Sequence, residues 1–188
     1  MNSSLTLCRQ WLLGCVALMT LGLMGCPKQV KVGAQDAKTP LYQMTLQDLN
    51  GKDFPLRELQ GKVTIIDFFA SHCNDCLQII PQLQRLHNTY KDKDFNVLGI
   101  ALEKKGLPLT TFIEFFAKKA PLEYPIVLAN KALYQGKTEL GRIIRVPQYK
   151  VLDKCGSVRH THMKILPFKT LEMEVKKLLA EQKTCPTP

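Results

Sequence analysis

The chain has 188 residues, enough for one domain with a full hydrophobic core. Its 45% hydrophobic and 22% charged content is ordinary for a soluble globular protein. The formal charge is +10, yet the lysines are scattered and nowhere interleaved with aromatics, which argues against a nucleic-acid partner and fits a solvated surface near anionic lipid.

The first 26 residues read as a leader. Arg9 supplies a positive start, and the apolar stretch Trp11 to Met24 is too short to span a bilayer. It ends Leu23-Met24-Gly25-Cys26, which resembles a lipobox and makes Cys26 the candidate lipidation site. Leu12-Leu13-Gly14-Cys15 has a similar form but almost no apolar sequence before it. A plain cleaved leader or an uncleaved anchor would likewise send the domain outside the cytoplasm, where disulfides persist. Residues 27–40 are polar and read as a tether to a domain at 41–188. With Cys8 and Cys15 in the leader and Cys26 lipidated, the domain keeps Cys73, Cys76, Cys155 and Cys185, an even number that suggests two pairs.

Asn50-Gly51 signals a hairpin between Tyr42–Leu49 and Phe54–Leu59. The continuous run Val63–Ala70 has the form of a strand buried on both faces of a parallel sheet. A helix is predicted from about Asn74 to Tyr90, with Leu77, Ile80, Leu83 and Tyr90 on one face. Phe95–Leu102 is a further strand. Thr111 with Glu114 resembles a capping box opening a helix through Lys119. A short strand at Tyr124–Leu128 and a helix at Lys131–Leu140 follow. Pro147–Leu152 and Val158–Met163 flank a hairpin turn at Asp153-Lys154-Cys155-Gly156, and Pro167–Gln182 closes the chain as a helix. Alternating strands and helices that finish in a hairpin imply an α/β fold with an antiparallel edge.

The chemistry concentrates where Val63–Ala70 gives way to the first long helix. In Cys73-Asn74-Asp75-Cys76 the two-residue spacer lets both sulfurs meet in the first helical turn. Unpaired N–H groups and the positive end of the helix dipole favour the thiolate of Cys73. Cys73 is thus the candidate nucleophile and Cys76 the resolving thiol. A zinc site would need two more ligands, and no second close Cys/His pair has finger spacing. His160 and His162 could supply imidazoles but read as solvent-facing residues of an edge strand, so neither metal nor cofactor is expected. Asp67, the sole ionisable group of its apolar run, is a candidate proton acceptor whose pKa burial would raise.

The run Asp67-Phe68-Phe69-Ala70-Ser71-His72-Cys73-Asn74-Asp75-Cys76, with Pro81 beyond it, resembles thioredoxin. The segments Leu49-Asn50-Gly51-Lys52 and Leu56-Arg57-Glu58-Leu59-Gln60-Gly61-Lys62, with the insertion around Tyr124–Leu140, resemble the membrane-anchored TlpA/ResA type. The resemblance implies a thioredoxin-like fold: a central mixed β-sheet flanked by helices, with an N-terminal β-hairpin and a strand–helix insertion. It also implies a reductase acting on protein thiols and disulfides outside the cytoplasm, fed by a membrane electron-donor thiol protein and often serving cytochrome c maturation. The matching aspartate in thioredoxins takes the proton of the resolving cysteine, a role that would fall to Asp67. Val146-Pro147 matches the family's cis-proline loop, so Val146 and Pro147 are candidate substrate-binding residues.

The chain also departs from the family. His72 replaces the usual tryptophan and is a candidate substrate-facing residue, either supporting the thiolate or filling the aromatic's place. Asp75 opposes thiolate formation by charge. Ile79 stands where many TlpA/ResA-type chains carry a glutamate. Within the fold, Cys155 lies at the end of the sheet opposite the dithiol, and the last helix runs back toward it. A structural Cys155–Cys185 disulfide is therefore expected. Two other functions fit the residues less well. A peroxiredoxin-like peroxide reductase needs Thr or Ser where Ala70 stands, and a Sco-like copper metallochaperone spaces its cysteines by three residues and adds a distal histidine.

Overall fold

The computed structural model describes residues 38–103, 109–111, 113–114, 122–182 and 185. The strands are β1 (Thr45–Asp48), β2 (Asp53–Pro55), β3 (Val63–Phe69), β4 (Phe95–Ala101), β5 (Ile126–Leu128), β6 (Gln148–Leu152) and β7 (Val158–His162). Helix α1 (Cys76–Tyr90) follows β3, α2 (Lys131–Tyr134) follows β5, and α3 (Phe168–Ala180) closes the described fold. The strands form one mixed sheet in the order β2-β1-β5-β4-β3-β6-β7, with β3, β4 and β5 parallel and the other pairs antiparallel.

All seven residues of β3 are buried, as a central strand covered on both faces requires. Ile65 and Phe69 point to one face, where Ile79, Ile80, Leu83 and Leu86 of α1 and Leu171, Val175 and Leu178 of α3 pack. Those positions recur at helical spacing, so each helix turns one apolar stripe to the sheet. Ile66 and Phe68 point to the other face, against Leu56, Leu59, Leu133 and Leu140. Asp67 alternates with Ile66 and Phe68, which puts it on the α1 and α3 face.

Several boundaries differ from the sequence reading. The N-terminal hairpin forms around Asn50-Gly51, but its strands are shorter. Leu41–Gln43 and Leu56–Leu59 are 3-10 turns that bury Leu41, Leu56 and Leu59 beneath the sheet. The helix expected over Lys131–Leu140 is a single turn. Gly136 adopts a φ of 66°, its N–H donates to Leu133 O, and Lys137 N–H donates to Ala132 O. That bonding pattern with a left-handed glycine stops a helix at its C-terminus. Leu109–Thr111, Ile113 and Glu114 are helical, whereas the remainder of the helix expected through Lys119 lies outside the described residues. Thr39, in the stretch read as tether, pairs with Thr138.

Candidate active site

Between β3 and α1 the chain makes two tight turns. Cys73 N–H donates to Ala70 O, then Cys76 N–H to Cys73 O and Leu77 N–H to Asn74 O. The regular helix therefore opens at Cys76 rather than Asn74, with Asp75 at its N-cap and no side-chain cap bond. The two sulfurs meet in this turn at an S–S distance of 2.15 Å. Their environments differ: Cys73 is 8% exposed and Cys76 fully buried, so attack from outside reaches Cys73 first. Cys73 Sγ also accepts a hydrogen bond from Cys76 N–H at 3.2 Å. An amide donor at the positive end of a helix favours negative charge on that sulfur. His72 and Asp75 are on the surface beside it.

Asp67 is fully buried, and its two carboxylate oxygens have no hydrogen-bond partner among the described residues. Desolvation raises its pKa to about 7, which keeps it poised to take or release a proton near neutral pH. It shares the core cluster face with Cys73 and Cys76.

Val146-Pro147 is a cis peptide leading into β6, whose Gln148 pairs with Phe68 of β3. This register brings Pro147 to the same end of the sheet as the dithiol. A shallow depression there is lined by Ala70, His72, Leu102, Ile144, Arg145 and Val146. Ile144 is 71% exposed, an apolar side chain held at the rim of the depression. The structure thus gathers Cys73, Cys76, Asp67, His72, Val146 and Pro147 around one end of the sheet.

Two supports were not legible in the sequence. Glu103, just past β4, accepts hydrogen bonds from Ser71 N–H and, at 2.7 Å, from Ser71 Oγ, fixing the loop two residues before Cys73. Gln148 accepts from Ile144 N–H at 3.0 Å and donates to Arg142 O at 3.3 Å, holding the loop that carries Val146. Ser71 and Glu103 meet only once β3 and β4 are paired, whereas Gln148 folds back on its own preceding loop. Their one sequence signal is a polar residue beside an apolar strand.

At the other end of the molecule, Cys155 and Cys185 are joined at an S–S distance of 2.12 Å and a Cα–Cα distance of 5.1 Å. Cys155 sits in the β6–β7 turn, where Asp153 Oδ1 accepts from Cys155 N–H and Ser157 N–H. Arg159 bridges Asp153 and Glu181, tying this turn to the end of α3. Cys26 lies outside the described residues. The expectation that His160 and His162 face solvent is overturned in part. β7 is an edge strand, but α3 covers one face of it. His162 packs on the Tyr149 ring at 5.1 Å and sets Nε2 2.9 Å from Glu174.

The sequence model of the AhpC/TSA family matches residues 37–161. The chain belongs to the AhpC/TSA family. Among relatives, this AhpC/TSA chain is similar to the thioredoxin-like protein YneN of Bacillus subtilis, 23% identical over 175 residues that cover 89% of this chain and 97% of that one. It is 24% identical to the thiol-disulfide oxidoreductase ResA of Bacillus cereus over 137 residues, 73% of this chain and 72% of that one. Among solved structures, a thiol:disulfide interchange protein of the thioredoxin family from Chlorobium tepidum superposes with a TM-score of 0.62 at 26% identity, covering 76% of this chain and 97% of the other. This AhpC/TSA member is a thioredoxin-like thiol–disulfide oxidoreductase of the TlpA/ResA type, with a disulfide-forming Cys-x-x-Cys pair.

Proposed function

We propose that the chain is a lipid-anchored reductase of protein disulfides outside the cytoplasm, in which Cys73 attacks, Cys76 resolves and Asp67 takes the proton. The observation that carries this reading is the asymmetry of the pair. Cys73 keeps 8% of its surface exposed and has an amide donor on its sulfur, whereas Cys76 is fully buried on the same face as Asp67, whose carboxylate has no partner among the described residues.

The Cys73 thiolate attacks one sulfur of a substrate disulfide and expels the other as a thiolate, leaving a mixed disulfide on Cys73. Cys76 loses its proton toward Asp67 and attacks Cys73 Sγ. The substrate leaves with both sulfurs reduced, and the protein is left with the Cys73–Cys76 disulfide. Each cycle then needs two electrons from a donor dithiol, for which a membrane thiol protein is the expected class. Val146 offers its backbone to an extended substrate segment, with Pro147 and His72 at the edges of the same groove. Ala70 offers no hydroxyl three residues before Cys73, so the arrangement favours a disulfide over a peroxide as oxidant.

The anchor rests on the leader-like residues 1–26 and on Cys26, with residues 27–40 as the tether. No helix among the described residues is long and apolar enough to cross a membrane. The Cys155–Cys185 pair supports an oxidising compartment. Delivery of thiols for cytochrome c maturation is one role open to such a reductase.

Insulin reduction tests the catalytic reading. The dithiol form, supplied with a small-molecule thiol, should accelerate precipitation of the insulin B chain well beyond the thiol alone. The Cys73→Ser/Cys76→Ser variant should add nothing, and equal rates for the two proteins would refute the assignment.

A further inference from the structure

The mechanism leaves unused the cluster formed by His160 and His162 of β7 with Glu174 of α3. His162 Nε2 lies 2.9 Å and His160 Nδ1 3.8 Å from the two carboxylate oxygens of Glu174. One ligand atom from each residue fits within a span of 4.8 Å. Zinc bound at about 2.0–2.1 Å in tetrahedral geometry separates its ligand atoms by about 3.3 Å, so a cluster within 4.8 Å closes on the ion by small side-chain rotations.

The supporting architecture is also suited to a metal. Residues two apart on a strand share a face, and here the two imidazoles stack at 6.0 Å with only 8° between their planes. The Tyr149 ring backs His162 at 5.1 Å, and Tyr149 Oη donates to Lys164 O at 2.9 Å, which fixes that ring in turn. Among the described residues, the ion-pair partners found for Glu174 are these two histidines, and the side chains of Glu174 and His162 are only 17% and 16% exposed. A carboxylate this covered, faced by two imidazoles, is a ready donor set. Solvent reaches the cluster at His160, whose side chain is 36% exposed on the edge strand.

We propose that His160, His162 and Glu174 form a binding site for a divalent transition metal of the zinc class, separate from the dithiol. Two imidazoles and one carboxylate suit zinc and its late first-row neighbours, and do not suit calcium or magnesium, which favour all-oxygen shells. Asp67, Tyr149 and His162 are in register across β3, β6 and β7, so two strand spacings, about 10 Å, separate the cluster from Asp67. The ion would pin the edge strand to the last helix without touching either catalytic sulfur.

The test is calorimetric titration of Zn²⁺ into the full chain carrying Cys73→Ser and Cys76→Ser, under non-oxidising, non-reducing conditions that leave the second disulfide intact. This background should bind one equivalent more than the same chain with His160→Ala added. Glu174→Gln should weaken that equivalent by at least about 10-fold, the lower end of what disturbing even an outer-shell partner costs. His160 is the most exposed of the three, so its replacement leaves the fold intact, and a Zn²⁺-dependent rise in Tm should be present in the background and lost with His160→Ala. Superimposable isotherms for the background, His160→Ala and Glu174→Gln, or a Tm indifferent to Zn²⁺ in the background, would show a bare imidazole–carboxylate contact and overturn the proposal. Insulin reduction by the chain with an intact dithiol reports on the catalytic reading independently of this result.

Discussion

At Asp67 an ionisable side chain is held where the sheet offers it neither water nor a donor. The folded protein holds its proton up to a pKa of about 7, whereas the unfolded chain releases it near the ordinary aspartate value of 3.8. Between those values the native state binds more protons than the unfolded state, so this residue makes stability fall as pH rises. Its destabilising contribution is absent below the unfolded pKa, grows through the interval and is complete above about pH 7. Asp67→Asn should therefore raise stability at pH 8 by about 1–4 kcal/mol and have little effect at pH 3, which denaturant unfolding at the two pH values would measure. In the same variant, release of the mixed disulfide should slow and lose its rise through pH 7, as followed by stopped-flow. A stability gain equal at both pH values would contradict a buried charge. Asp67 was legible in the sequence because it interrupts an apolar run. Glu103 and Gln148 were not, because their partners lie far along the chain or across a loop whose path the sequence does not reveal.

The elements most faithful to the sequence pattern are those whose periodicity is unambiguous: β3, α1, the β6–β7 hairpin and α3. The errors fell at ends and in short pieces. In α2 the glycine at position 136 stopped a helix that the apolar spacing would have continued. On β7 the pattern of an edge strand predicts solvent-facing histidines, yet Glu174 of α3 meets His160 and His162. Cys155 lies at the far end of the sheet from the dithiol because β6 starts beside Pro147 and runs away from it. Its bond to Cys185 spans 30 residues of sequence and closes the hairpin turn against the segment beyond α3. Replacing both cysteines by serine should lower stability by about 3–4 kcal/mol if loop-closure entropy dominates, with thermal unfolding as the measurement. Thiol counting on the processed chain after mild reduction should find two reactive thiols. Four would show that the second pair is open to reductant and does not brace the fold.

For the molecule as a whole, the fold class and the sheet's antiparallel edge followed from the order of strands and helices. Gly156 illustrates what order alone does not reveal. A Cβ there would lie 2.7 Å from the Tyr42 hydroxyl, so the last hairpin closes directly over the first turn of the domain. The anchor belongs to the same scale. If Cys26 carries the lipid, Cys26→Ser should move the chain from the membrane fraction to the soluble one, checked by fractionation and by incorporation of labelled lipid. Full retention in the membrane without label would contradict lipidation. The proposed chemistry assigns one sulfur to the substrate and the other to resolution. It is tested most directly by recovering mixed disulfides from cells expressing Cys76→Ser or Cys73→Ser and resolving them on non-reducing gels. Stable, reductant-sensitive adducts are expected on Cys73 in the Cys76→Ser variant and none in Cys73→Ser. Equal adducts in the two variants, or adducts on Cys76 alone, would contradict it.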